Sequence, residues 1–138
     1  IDSNTPDEGQ GKLFPDPDKS SFKITCLSLT NDFLVFATDG GHLQYFYLED
    51  WKYVNEFRHV TGIKSIHPEP TGTRLCLVDE KQDAFVYNPV NDSLVLVPEA
   101  SGGIKGVLWD NFSADRDIFV TFDAQKLCTY IYYRDTIE

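Results

Sequence analysis

The chain contains no methionine, and its 12 lysines and arginines are outnumbered by 22 acidic residues. The resulting net charge of −10 repels nucleic acid, anionic membranes and phosphate-rich ligands, which excludes them as partners of the whole surface. Without a natural start residue, the sequence reads as an excised piece or part of a larger protein. The three cysteines are an odd number and include no C-x-x-C pair. Cys26, Cys76 and Cys128 each sit in an apolar stretch, where free cysteine behaves as a small buried hydrophobe. A reduced, intracellular compartment follows, and zinc-ligand spacing is absent. No apolar run approaches the roughly 18–20 residues needed to cross a bilayer, and no signal-peptide pattern opens the chain. Helical periodicity is missing over any useful length.

Catalytic patterns are also absent. There is no G-x-S-x-G, no glycine-rich phosphate loop ahead of a helix and no H-E-x-x-H. His42, His59 and His67 are not spaced as ligands or as parts of a triad. No catalytic residue, metal or other cofactor is expected.

What the chain does have is a repeated phrase. RLCLVDEKQDAFVY (residues 74–87) reads as a strand, a short polar turn and a strand returning beside the first. FLVFATDGGHLQYFY (33–47) and IFVTFDAQKLCTYIYY (118–133) say the same thing. An aspartate closes the first strand of each copy: Asp39, Asp79 and Asp123, spaced 40 and 44 residues apart. That is the period of a four-stranded propeller blade. Recurrence at one place in every repeat points to a turn role, with the carboxylate accepting hydrogen bonds from nearby backbone N–H groups. It does not point to a catalytic carboxylate pair.

Taken in order, residues 1–21 form an acidic, proline-containing loop or linker in which 15–18 (PDPD) block helix and central strand alike. Strands follow at about 23–29, 33–38, 42–48 and 51–57, then 63–66, 74–79, 83–87 and 93–97, then 104–109, 118–122 and 127–133. This makes blades of about 22–60, 61–100 and 101–138, with four, four and three strands. Composition agrees: 41% hydrophobic and 14% aromatic residues are too many for a disordered chain. Third-strand aromatics such as Tyr45, Tyr87 and Tyr132 suit strands covered on both faces. Trp51, Tyr53 and Phe57 fall on an outer strand that should show one face to water. They are the candidate partner contacts.

HPEPTGTRLCLVD followed by a short turn and AFVY resembles the core of a WD-type repeat. The Gly-His pair that precedes the inner strand in such repeats is absent. Tyr47, Tyr87 and Tyr132 stand where tryptophan would be. Beyond the general repeat, DFLVFATDGGHLQYFYLEDWKYVNEFRH, TGTRLCLVDEKQDAFVYNPVND and IKGVLWDNF resemble the WD-repeat subunits of intraflagellar transport complex A, over roughly residues 22 to 138. The resemblance implies an all-β fold: a partial WD-type β-propeller of about three four-stranded antiparallel blades, the last one incomplete. It also implies a non-enzymatic scaffold in retrograde ciliary transport, cilium assembly and ciliary membrane-protein entry. The partners implied are other subunits of that complex and, indirectly, ciliary membrane-protein cargo. The implied location is the cilium, the ciliary base and the cytoplasm, in association with the cytoskeleton. The alternative is a propeller that recognises a peptide or cargo in another cytosolic assembly.

Blades gain stability by stacking on their neighbours. Three blades leave two end faces, each with several large apolar side chains whose burial is worth about 1.5–3 kcal/mol apiece. The chain is therefore expected to complete itself against another copy or against a missing segment of its own protein, through blade faces or by strand exchange along 127–133.

Overall fold

Each hairpin in the chain is short enough to close on itself, so the molecule is built of local antiparallel pairings stacked side by side. The computed structural model describes residues 22–100, 103–110, 117–133 and 136–138. The linker expected at 1–21 lies outside them. Blade one consists of β1 (Ile24–Leu29), β2 (Phe33–Thr38), β3 (His42–Tyr47) and β4 (Lys52–Arg58). Blade two holds β5 (Ile63–Pro68), β6 (Leu75–Asp79), β7 (Ala84–Asn88) and β8 (Ser93–Leu96). Blade three holds β9 (Gly106–Asp110), β10 (Asp117–Phe122), β11 (Leu127–Tyr133) and β12 (Thr136–Ile137). Every sheet follows chain order from its first strand to its fourth, and no helix occurs among the described residues.

The fourth strand of blade three corrects the count of eleven. RDTIE has no alternation to read, yet Ile137 pairs with Tyr132 and Thr136 with Tyr133. The blade is therefore four-stranded, but its last strand is a two-residue stub. The inner strand of blade three also begins later than Ile104, at Gly106. A methyl group at Gly106 would sit about 2.5 Å from the Phe122 ring, so glycine lets that ring lie directly over the start of β9.

Blade two is the centre of the packing. All five residues of β6 are buried, as expected of a strand covered on both faces. Leu75 and Leu77 join Val35, Ala37, Leu43, Tyr45 and Tyr87 in one core, between blades one and two. Cys76 and Val78 join Val86, Phe119, Tyr130 and Tyr132 in a second, between blades two and three. Side chains also bond across both junctions. Thr25 donates to the Ile63 carbonyl at 2.6 Å, and the Trp109 indole donates to the His67 carbonyl at 2.8 Å. Farther out, Asn55 donates to the Tyr87 hydroxyl at 2.8 Å and Tyr130 to the Pro98 carbonyl at 2.6 Å.

If the blade junctions carry the stability, Leu77→Ala should cost about 2–5 kcal/mol. Leu96→Ala, at an exposed site of β8, should change stability by no more than about 0.5 kcal/mol. Urea denaturation of the two variants makes the comparison, and equal losses would rule out the junction as the seat of stability.

Candidate functional site

Blade two shows how the turn aspartates work. Asp79 is buried. Its Oδ1 accepts the amides of Lys81 at 3.0 Å and Asp83 at 3.1 Å, closing the β6–β7 turn. Its Oδ2 accepts from His59 Nε2 at 2.9 Å. His59 lies in the connection from β4 to β5, so this pair ties the blade crossover to the neighbouring hairpin. Burial works against the charged carboxyl. The hydrogen bonds from His59 and from the Asp83 and Lys81 amides outweigh it and hold the group below its ordinary value of 3.8. The glycine of the Gly-His pair is replaced by Arg58, but His59 supplies the histidine.

Asp123 accepts the amides of Gln125 at 2.7 Å and Lys126 at 2.8 Å, the same local service at an exposed turn. Blade one differs. There Thr38 Oγ1 accepts the amides two and four residues on, Gly40 at 3.3 Å and His42 at 3.2 Å. Thr38 pairs with Ile24 just as Asp79 pairs with Ile63. The structural counterpart of Asp79 is thus Thr38, one residue ahead of Asp39. Asp39 instead accepts the Lys23 amide at 2.9 Å and secures the start of β1. The two neighbouring polar residues made the spacing ambiguous by one.

Trp51, Tyr53 and Phe57 do not form one patch. Trp51 caps the β3–β4 turn with φ +56°, uncommon for a bulky residue, and its amide donates to the Tyr47 carbonyl at 2.8 Å. It is 48% exposed, and Tyr53 49%. Tyr53 leans edge-on against Phe46 and donates to Glu56 at 2.7 Å. Burial, followed by that bond, pushes its hydroxyl up to about 12. Phe57 turns the other way, its ring 4.7 Å from that of Tyr87, and packs against the core between blades one and two. Strict alternation would put Tyr53 and Phe57, four residues apart, on one face. A bulge opposite Tyr45 and Phe46 shifts the pairing of β4 between them and turns them to opposite faces.

Two polar clusters have no counterpart in the sequence reading. Buried Glu69 Oε1 accepts from the Thr73 amide at 3.0 Å, the Thr73 hydroxyl at 3.1 Å and the Thr71 hydroxyl. The carboxylate thereby organises the proline-rich turn between β5 and β6. Arg74, isolated in sequence, reaches from blade two to blade three. Its Nε is 3.4 Å from Asp117 and its guanidinium lies over the Tyr132 ring, 5.2 Å from the centroid. The only sequence signal for these was a charged residue beside threonines or at the mouth of an apolar strand. Among the described residues no group of three histidine, cysteine or acidic side chains is placed to hold a metal ion.

The end faces are apolar. Leu27 and Leu29 are 63% and 65% exposed on the side of blade one turned from blade two, and Leu108 and Leu127 are 65% and 67% exposed on the far side of blade three.

Stacked four-stranded sheets, each with a polar lock on its middle hairpin, define a stretch of WD-type β-propeller. The crystal structure of RRP9 WD40 repeats superposes with a TM-score of 0.61 at 10% identity, over 86% of this chain and 38% of that one; this likeness bears on fold alone. The WDR19 second beta-propeller model matches residues 1–138, and the chain belongs to that family. It is 48% identical over 132 residues to WD repeat-containing protein 19 of Homo sapiens, covering 96% of this chain and 10% of that protein. It is 32% identical over 127 residues to WD repeat-containing protein dyf-2 of Caenorhabditis elegans, covering 91% of this chain and 9% of that protein. The chain thus spans about a tenth of the length of these relatives.

A carboxyl whose folded pKa is depressed stabilises the fold above its unfolded value, and that stability is lost as the pH falls through the folded value. Asp79→Ala should therefore cost about 3 kcal/mol near neutral pH, where it strands His59. The gap to the native protein should narrow as the pH drops below the ordinary 3.8. Urea denaturation near neutrality and at about pH 3 reads both. A gap independent of pH would show that the ionised carboxylate is not the stabilising species.

Proposed function

We propose that this chain is a non-enzymatic scaffold, part of the β-propeller of an intraflagellar transport complex A subunit. In this reading it acts in retrograde ciliary transport, cilium assembly and the entry of membrane proteins into cilia, at the cilium, the ciliary base and the cytoplasm, in association with the cytoskeleton. The observation that carries the reading is 48% identity along 96% of the chain to WD repeat-containing protein 19. The arrangement suits such work. Asp79, Glu69, Thr25, Trp109 and Arg74 are engaged in turns and blade junctions, and aromatic and apolar surface stands at defined places on the sheets they hold.

Partner contact falls to Trp51 and Tyr53, the exposed members of the aromatic trio, with other complex subunits as the partners and cargo reached through them. Large aromatics at exposed, fixed positions are the usual anchors of protein–protein interfaces. Phe57 serves the core instead. The end faces call for further cover, from neighbouring blades of the longer polypeptide or from a second copy.

In the full-length protein, Trp51→Ala combined with Tyr53→Ala should lower co-precipitation of complex subunits at least about tenfold, the effect of losing about 1.4 kcal/mol, with an unchanged melting temperature. Full retention of every subunit would remove these residues from the interface. The 138-residue chain alone should self-associate at micromolar concentration, and light scattering that finds a well-folded monomer would contradict the need for cover.

A further inference from the structure

Trp51 is exposed for a reason other than an uncovered blade face. Tyr47 pairs with Lys52 as Asn88 pairs with Ser93, so the tips of the β3–β4 and β7–β8 hairpins correspond residue for residue. Glu49, Asp50 and Trp51 stand where blade two has Val90, Asn91 and Asp92. Blade two is packed on both faces, yet Val90 is 78% exposed, and Asn91 and Asp92 are exposed with it. The tip of this hairpin therefore projects beyond the stack. A further sheet laid against blade one would leave Trp51 open to solvent.

The two tips share a backbone and differ in what the side chain does with it. Trp51 has φ +56° and Asp92 has φ +60°, the left-handed region that aspartate accepts and a bulky side chain resists. Asp92 has a use inside the fold, because its carboxylate accepts from the Tyr87 hydroxyl at 2.6 Å. Trp51 gives the turn only its amide, which donates to the Tyr47 carbonyl, a bond that any residue but proline could make. Among the described residues its indole has no hydrogen-bond or ring partner. A large exposed ring held in a disfavoured conformation, with no use in its own fold, marks a place where something else binds.

The surroundings select the occupant. The Leu48 amide donates to the Asp32 carbonyl at 2.8 Å, which sets the β1–β2 turn against the β3–β4 turn. Glu49 accepts from the Tyr47 hydroxyl at 2.8 Å, and Asp50 accepts the Lys52 amide at 3.0 Å. The bond to Glu49, together with the charges of Glu49, Asp32 and Asp50, raises the Tyr47 hydroxyl above its ordinary value of 10.0. Three carboxylates thus share the tip with the indole, and Lys52 is the one lysine or arginine in residues 30–52. The face of an indole and a group of carboxylates attract the same thing, a cation.

We infer that the β3–β4 tip of blade one docks a basic segment of a partner protein, with a lysine or arginine side chain over the Trp51 indole and its charge toward Asp32, Glu49 and Asp50. The inference rests on the proposed role of Trp51 as a partner contact and adds the chemistry of the partner. An apolar segment seated there would take carboxylates out of water without a counter-charge, and an acidic one would be repelled.

In the full-length protein, Trp51→Gly should lower co-precipitation of the complex subunits at least about tenfold. The amides of β3 and β4 should exchange hydrogen no faster than in the native protein, because glycine suits the backbone at this position. Asp32→Lys combined with Glu49→Lys should lower co-precipitation as much; Asp50 is left in place because its carboxylate closes the turn. Trp51→Phe, which keeps a ring face, should retain more than Trp51→Leu. Raising the salt from about 0.1 to 1 M, where the screening length falls from about 10 to 3 Å, should weaken the native contact. Loss with Trp51→Gly but none with the charge reversals or with salt would overturn the basic partner and leave the contact itself standing. Full retention by Trp51→Gly would overturn both. Faster exchange of the β3 and β4 amides in Trp51→Gly would make the indole a structural group and would also overturn the inference.

Discussion

The constraint on which the structure depends is that blade two cannot have a wet face. Its second strand is apolar on both sides, so a sheet must lie against each. Blade one and blade three meet that need, and in doing so divide the interior into two cores that share a single partition. The outer blades are less evenly covered. On the face of blade one turned from blade two, Phe36 and Phe46 are buried while Leu27 and Leu29 are exposed, and Leu108 and Leu127 are exposed on the far side of blade three. The asymmetry between the middle sheet and the outer two explains the distribution of exposed leucines, and it makes the chain a segment of a stack in physical terms as well as by family.

Polar groups at the junctions serve to fix the angle and height at which the sheets meet. Packing alone would tolerate sliding, because apolar contacts are not directional. Thr25 and Trp109 each donate to a backbone carbonyl of the next or preceding blade, and these bonds have one geometry. Arg74 adds a charge and a ring contact between blades two and three. Buried Glu69 and Asp79 are each surrounded by donors from their own turns, which is how a chain of this charge can place carboxylates inside. A frame built this way holds an exposed residue such as Trp51 at a defined point in space.

Much of this was legible in the sequence. Alternation, turn residues and the repeat of about 40 residues located the strands to within one or two positions, because each signal is local and each hairpin is closed by its own turn. Blade three exposed the limit: a two-residue strand such as Thr136–Ile137 is defined by what it pairs with, which no local pattern reveals. Phe57 illustrates another. Its place on β4 marked it as an outer-strand aromatic, but a bulge decides which face it shows, and the bulge is a property of the pairing with β3. Asp39 and Thr38 stand side by side, and only the alignment of β1 with β2 tells which one closes the turn. His59 and Arg74 act across junctions between sheets, so their partners, Asp79 and Asp117, were 20 and 43 residues away with nothing in the intervening chain to connect them.

The crossover from blade one to blade two is more than a tether. Gly41, at φ +90°, sits so close to the carbonyl oxygens of His59 and Thr61 that no side chain could stand there. The His59 amide donates to the Gly41 carbonyl at 2.7 Å, while the ring of the same residue grips Asp79. One short loop is thus clamped to a hairpin tip on each side. The two sheets are thereby joined at their hairpin tips as well as through their packed faces, so a shift of one against the other would have to break both clamps.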